Sequence, residues 1–142
     1  MLKKILFIVG LLLVLALCIG IYMFNKGPVN VAGASAEKIN ATALYRAFDT
    51  DSAGAAKKYA GKVLEVTGVI QNISLNQKQQ KILLLKTESD GASVNCTMEE
   101  KQTNAEQGQT FTVKGICSGI GQGDADLGIK GDVYLSRCIT AK

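Results

Sequence analysis

The 142-residue sequence contains no histidine, no tryptophan and a single proline. Without histidine, the chain lacks the side chain that ordinarily titrates near neutral pH. A general base would then need a carboxylate, thiol or amine with a strongly shifted pKa. No pair of such groups is recognisable, so the expectation is that the protein is not an enzyme. With no CxxC and no carboxylate cluster beside the cysteines, neither a metal nor another cofactor is expected. Aromatic residues are few: beyond residue 26 they are Tyr45, Phe48, Tyr59, Phe111 and Tyr134. Single-stranded nucleic acid is held by exposed aromatic platforms in a basic groove. Tyr45, Phe48 and Tyr59 fit the inner faces of helices and Phe111 a barrel core, which leaves Tyr134 alone free to face outward.

Charge is absent from Ile5 to Phe24, where every residue is apolar or glycine except Tyr22. Twenty helical residues span roughly 30 Å, the hydrocarbon thickness of a bilayer. Lys3 and Lys4 precede the run and Lys26 follows it, which favours a cytoplasmic N-terminus and an extracytoplasmic remainder. Residues 1–26 are read as a single-pass anchor in the cell membrane. A cleaved secretory signal is the alternative, since Ala34-Ser35-Ala36 resembles a small-residue cleavage site. That site lies twelve residues past the apolar run, and the run exceeds a usual signal core. A lipoprotein signal is set aside because Leu17 precedes Cys18. Of the 16 basic residues, Lys3, Lys4 and Lys26 flank the run; the other 13 face 12 acidic residues, so the exported part is close to neutral. A neutral domain has little pull on polyanions.

Residues 27–34 (GPVNVAG and Ala34) read as a linker, and residues 35–142 as one domain. Ser35 is placed to cap a helix over about 36–48, with Ile39, Ala43, Leu44, Ala47 and Phe48 at helical spacing. Asp51 can cap a second helix ending near Ala60, with Lys57 and Lys58 in its last turn and Gly61 as its stop. Beyond Gly61 the period shortens to that of strands, expected over about 62–74, 80–86, 92–98, 109–118 and 132–139. Gly68 marks a bend in the first of these, and the run Ile82 to Leu85 suggests burial. The polar stretch 99–107 has room for one or two helical turns.

Five strands with a short connection between the third and fourth is the order of an OB-fold Greek-key barrel. The expected class is therefore mainly β: a five-stranded OB barrel preceded by two short α-helices and an N-terminal transmembrane helix. Particular residues carry the same pattern. Leu44-x-x-x-Phe48, Ala56-x-x-Tyr59 and Gly61-Lys62-x-Leu64-x-Val66-Thr67-Gly68 come first. Val94-x-Cys96, Thr112-Val113-Lys114-Gly115-x-Cys117-x-Gly119 and Val133-x-Leu135-x-x-Cys138 follow. In order and spacing these resemble the tRNA_anti-like family of bacterial OB-fold proteins over about residues 35–139. What the resemblance implies is a fold. The family's name records its similarity to the anticodon-binding OB domains of tRNA synthetases, and the resemblance brings no defined activity or site residues.

OB topology places the third and fifth strands side by side and parallel. Cys96 and Cys138 both lie late in those strands, whereas Cys117 faces the start of the fifth, roughly 20 Å along the ladder from Cys138. A disulfide needs Cα atoms within about 7 Å, so Cys96–Cys138 is the favoured pair in an exported domain. Strict alternation with Val133 and Leu135 inside would turn Cys138 outward, and a bulge near Ser136 would turn it back. Three buried free thiols are the other reading.

The leading functional expectation is an anchored, extracytoplasmic module that binds a peptide, a glycan or a partner protein. The OB contact region implies Asn76, Gln77, Lys78 and Gln79 in one loop and Gln122, Asp124 and Asp126 in the other. Asp124 and Asp126 lack the rest of a calcium loop. Lys78, Lys81 and Lys86 could form a small basic patch. Single-stranded or tRNA-type nucleic-acid binding, and a structural role in an envelope complex, are the alternatives.

Overall fold

The computed structural model describes residues 2–25, 27, 29–100, 103–124 and 126–141. Lys26 of the anchor, Pro28 of the linker, and Lys101 and Gln102 of the polar connection lie outside the described residues. The apolar run forms one helix, α1, over Leu2–Asn25. Its segment Lys4–Asn25 has a mean hydropathy of 3.0 and is exposed throughout, so it is long and apolar enough to cross a membrane. A signal sequence has the same properties.

The rest of the chain is built around a closed barrel of five strands: β2 (Val63–Leu75), β3 (Lys81–Lys86), β4 (Ser93–Met98), β5 (Thr110–Ile120) and β6 (Val133–Thr140). The order around the barrel is β2-β3-β4-β6-β5, and β5 pairs back onto β2. All neighbours are antiparallel except β4 and β6, which run parallel. Closure works because β2 is long enough to serve two partners. Its first half, Val63 to Val69, pairs with β5. Its second half, Ile70 to Leu75, pairs with β3, and a bulge at Gln71 lies where that pairing begins. The bend therefore falls three residues beyond Gly68. Gly68 answers a different need: a Cβ there would lie 2.8 Å from the Ala41 Cβ, so the glycine lets the start of a helix press onto the strand.

Two short helices, α2 (Ala41–Thr50) and α3 (Ser52–Tyr59), cover the end of the barrel where β2 starts and β3 ends. Leu44, Tyr45 and Phe48 of α2 and Ala55 and Tyr59 of α3 enter the same core as Leu64, Val66, Leu83, Leu85, Val94, Val113 and Leu135. The cap of α3 is Asp51, whose carboxylate accepts from the Gly54 amide. The first helix begins later than the sequence pattern predicts. Asn40, not Ser35, is the N-cap, its side chain accepting from the Ala43 amide. Residues Glu37–Asn40 instead form a strand, β1, parallel to β2 with Ile39 beside Val66. The free edge of β2 explains this. Between Leu64 and Thr67, β2 has left β3 and would otherwise expose unpaired backbone groups. Ion pairs Glu37–Lys58 and Lys38–Glu65 fasten the added strand.

Residues 103–106 have no regular structure and 107–108 form a turn, so the described part of this connection holds no helix. The Gly108 amide donates to the Ile70 carbonyl, and Lys81 Nζ donates to the Thr103 carbonyl. The segment after α1 rests on this side of the barrel as well. Val31 is buried, Lys114 Nζ donates to the Ala32 carbonyl (3.2 Å) and Arg137 Nη1 to the Val29 carbonyl (3.2 Å).

Candidate functional site

Alternation along β3, β4 and β6 separates two surfaces. Leu83, Leu85, Val94, Cys96, Met98, Val133 and Leu135 point inward and are essentially inaccessible. Ile82, Leu84, Asn95, Thr97 and Tyr134 stand on the outer surface, half-buried or exposed. The registers align them in rungs. Asn72 of β2 faces Leu84, Leu84 faces Asn95, and Asn95 faces Tyr134. In the next rung Ser74 faces Ile82, and Ile82 faces Thr97. The result is a sheet surface of two aliphatic side chains, two amides, two hydroxyls and one exposed tyrosine ring. None of these residues carries a charge. Such a surface offers apolar contact, hydrogen bonds and one aromatic plane, and no attraction for phosphate.

The loop residues singled out from the sequence flank this surface but do not meet. Asn76 to Gln79 join β2 to β3 at the end where β4 finishes. Gln122, Asp124 and Asp126 lie between β5 and β6, at the end where β4 starts, since Val133 pairs with Val94. The six-residue length of β4 between those ends sets them about 17 Å apart along the strand. Within each loop one of these residues serves the turn. Asn76 Oδ1 accepts from the Lys78 and Gln80 amides (both 2.9 Å), and its Nδ2 donates to Gln80. This network holds Gln79 in a left-handed conformation at φ 60°. Asp124 Oδ1 accepts from the Asp126 and Leu127 amides, closing a tight turn in which Asp124 also bridges to Ile129. Gln77, Lys78, Gln79, Gln122 and Asp126 are exposed. Among the described residues, no three cysteine or acidic side chains are grouped to hold a metal ion.

Lys78, Lys81 and Lys86 form no patch. Lys81 and Lys86 lie at opposite ends of β3, and Lys81 is engaged with Thr103. A shallow groove of about 620 Å³ lies where α2 begins, lined by Asn40, Thr67, Lys86, Thr87 and Glu88 among others. Most of its polar lining already serves the fold: Asn40 caps α2, Thr87 donates to the Ala92 carbonyl, Thr67 is bonded to Thr112 and Glu88 pairs with Arg46. The outer strand surface is the better candidate because its side chains are not so committed.

The sequence reading missed Ile82 and Leu84 as surface residues, taking the unbroken run 82–85 as burial. The signal was nonetheless present. An antiparallel strand in a one-layer barrel needs apolar residues on only one face, so Ile82 and Leu84 are surplus to the core. Tyr134 was correctly expected to face outward, and it is 43% exposed.

The cysteines sit on the inner side of the same strands. Cys96, Cys117 and Cys138 are fully buried. Cys138 reaches the interior because a bulge interrupts the pairing of β6: Cys96 faces Leu135, but Met98 faces Cys138, one residue further on than strict register allows. Arg137 takes up the slack in a left-handed conformation, φ 53°. Gly115 makes room opposite, since a Cβ there would lie 2.5 Å from the Cys138 Sγ. The Cys96 thiol is held well above its ordinary range, first by its hydrogen bond with Cys138 and then by burial. Burial likewise pushes up Cys117.

A five-stranded closed barrel with this strand order is an OB-fold, the architecture of a binding module. Matching the profile of the tRNA_anti-like family over residues 1–127, the chain belongs to that family. The match includes α1 and stops short of β6. Comparison with curated proteins gives no significant match.

Proposed function

We propose that the protein is a membrane-anchored, extracytoplasmic binding module, without catalytic activity, whose outer β3–β4–β6 surface recognises an uncharged, extended ligand, a peptide or a glycan. The observation that carries this reading is the rung Asn72–Leu84–Asn95–Tyr134, an uncharged row in which apolar and aromatic contact alternates with amides. The exposed loop residues Gln77, Gln79, Gln122 and Asp126 flank it and supply its polar rim. Anchoring is supported by the length and hydropathy of α1, and the outward orientation by Lys3 and Lys4 ahead of it. The chain after α1 lies on the barrel from Val29 onward, which leaves residues 26–28, about 10 Å of chain, between the helix and the barrel. The ligand therefore belongs to the immediate membrane surface.

The test is binding of the full-length, detergent-solubilised protein to peptide and glycan arrays and to single-stranded oligonucleotides, at low and moderate salt. Binding to a neutral ligand with little salt dependence is expected. Salt-sensitive binding to oligonucleotides alone would replace this reading with nucleic-acid recognition.

A further inference from the structure

We infer that Cys96 and Cys138 are joined by a disulfide that ties β4 to β6, with Cys117 left as a buried free thiol. The two strands are direct, parallel neighbours, and both side chains enter the interior on the same side of the sheet. In a flat sheet the offset of two residues would separate their Cα atoms by about 8 Å, an ångström beyond the usual limit. Here both are fully buried and point to the concave side of a closed barrel, where inward groups converge. Cys117 faces Leu135, the residue that also faces Cys96, so the Leu135 side chain stands between those two thiols.

The local backbone is shaped for this encounter. A non-glycine residue with positive φ is uncommon and persists only where its surroundings hold it. Arg137 adopts one, and its guanidinium is fixed by the Val29 carbonyl and by Glu99 (3.3 Å). Without the bulge, Cys138 would face solvent and Arg137 would enter the core. Gly115 completes the arrangement by leaving space over which the Cys138 sulfur lies.

Formation of the bond needs an oxidant, for which we take a disulfide of an envelope thiol–disulfide oxidoreductase. One cysteine thiolate attacks that disulfide and releases one oxidant sulfur as a thiol. The second cysteine thiolate then attacks the mixed disulfide and releases the other. Two protein thiols lose two protons and two electrons, and the oxidant disulfide becomes a dithiol. Folded, both thiols are inaccessible, so the exchange belongs to the period before the barrel closes. Once formed, the bond is shielded from reductants.

The inference rests on the outward orientation proposed above, because a cytoplasmic domain would stay reduced. The test is to alkylate free thiols at cell harvest, purify the full-length protein from membranes, digest with trypsin without reduction and identify the peptides by mass spectrometry. Cleavage after Lys86, Lys101, Lys114, Lys130 and Arg137 places the three barrel cysteines on separate peptides. The expected result is one linked pair containing Cys96 and Cys138, with Cys117 alkylated. A bridge to Cys117, or alkylation of all three, overturns the proposal. In the last case, refolding the reduced full-length protein with oxidised glutathione separates the causes. Formation of the Cys96–Cys138 bond there would place the error in the compartment, and its absence would place the error in the geometry.

Discussion

The inner and outer surfaces of β3, β4 and β6 are made by alternate residues of the same three strands, yet they answer to different demands. The inner surface is continuous with Leu44, Phe48 and Tyr59 of the helical cover and tolerates neither a gap nor an unpaired polar atom. The outer surface is neutral, partly apolar and uncovered. What the difference teaches is that stability and recognition are separable in this barrel at a spacing of one residue. A substitution should move one property or the other, according to its place in the alternation.

The largest effect is expected inside. Leu83→Ala removes a wholly buried side chain from the middle of β3. It should lower unfolding free energy by about 3 kcal/mol, within the range for leucine truncation in cores, as read by denaturant titration. Any ligand should bind the remaining folded protein as before.

One residue outward, the pattern should reverse. Tyr134→Ala should weaken ligand binding about tenfold, or about 1.4 kcal/mol. Its stability should stay within about 0.5 kcal/mol of the parent. Calorimetry of binding alongside thermal unfolding checks both halves. A large stability loss with unchanged affinity would put Tyr134 in the fold and end the comparison.

The loop between β2 and β3 sharpens the comparison further. Asn76→Ala removes the acceptor of two backbone amides in the turn. It should cost about 1 kcal/mol of stability and leave affinity nearly unchanged. Gln77→Ala, exposed in the same turn, should leave stability within about 0.5 kcal/mol of the parent and weaken affinity slightly. An affinity loss confined to Asn76→Ala would contradict the placement of Gln77 on the rim.

The smallest expected effect is a pH dependence of the reduced protein. Tyr45 is raised above its ordinary 10.0 by burial, then by Asp49 and Asp132. Cys96 and Cys117 are raised above 9.0. In the unfolded chain these groups lose their protons first, so above about pH 9 the unfolded state binds fewer protons than the folded one. The stability they contribute is complete below that pH and is lost as pH rises through the folded pKa values. Midpoints of denaturation between pH 8 and pH 11 should fall, and Tyr45→Phe should flatten the decline at its alkaline end.

The strand pattern was legible where a residue's own neighbours settle its direction. Val133, Tyr134 and Leu135 read directly as in, out, in, whereas alternation alone turned Cys138 outward and only a bulge near Ser136 would bring it back. Two features were not legible because they depend on distant chain. Glu37 to Asn40 extends only because β2 offers it a bare edge, whereas Ile39 by itself fits a helical stripe. The candidate surface was hidden in the run Ile82 to Leu85, since a run of aliphatic residues does not say which of them the core has room for. The loops Asn76–Gln79 and Gln122–Asp126 were found where expected in the chain. Their separation by the length of β4, and the commitment of Asn76 and Asp124 to their own turns, came only from the register.

The central claim is that the outer β3–β4–β6 surface meets the ligand. Photo-crosslinking in living cells tests it most directly, with a benzophenone amino acid placed singly at Leu84, Asn95 or Tyr134 in the full-length protein, and at exposed Ala53 or Lys57 of α3 as controls. Discrete adducts from the three outer-surface positions and none from α3 are predicted. Adducts from α3 alone, or equally from all five positions, would contradict the assignment.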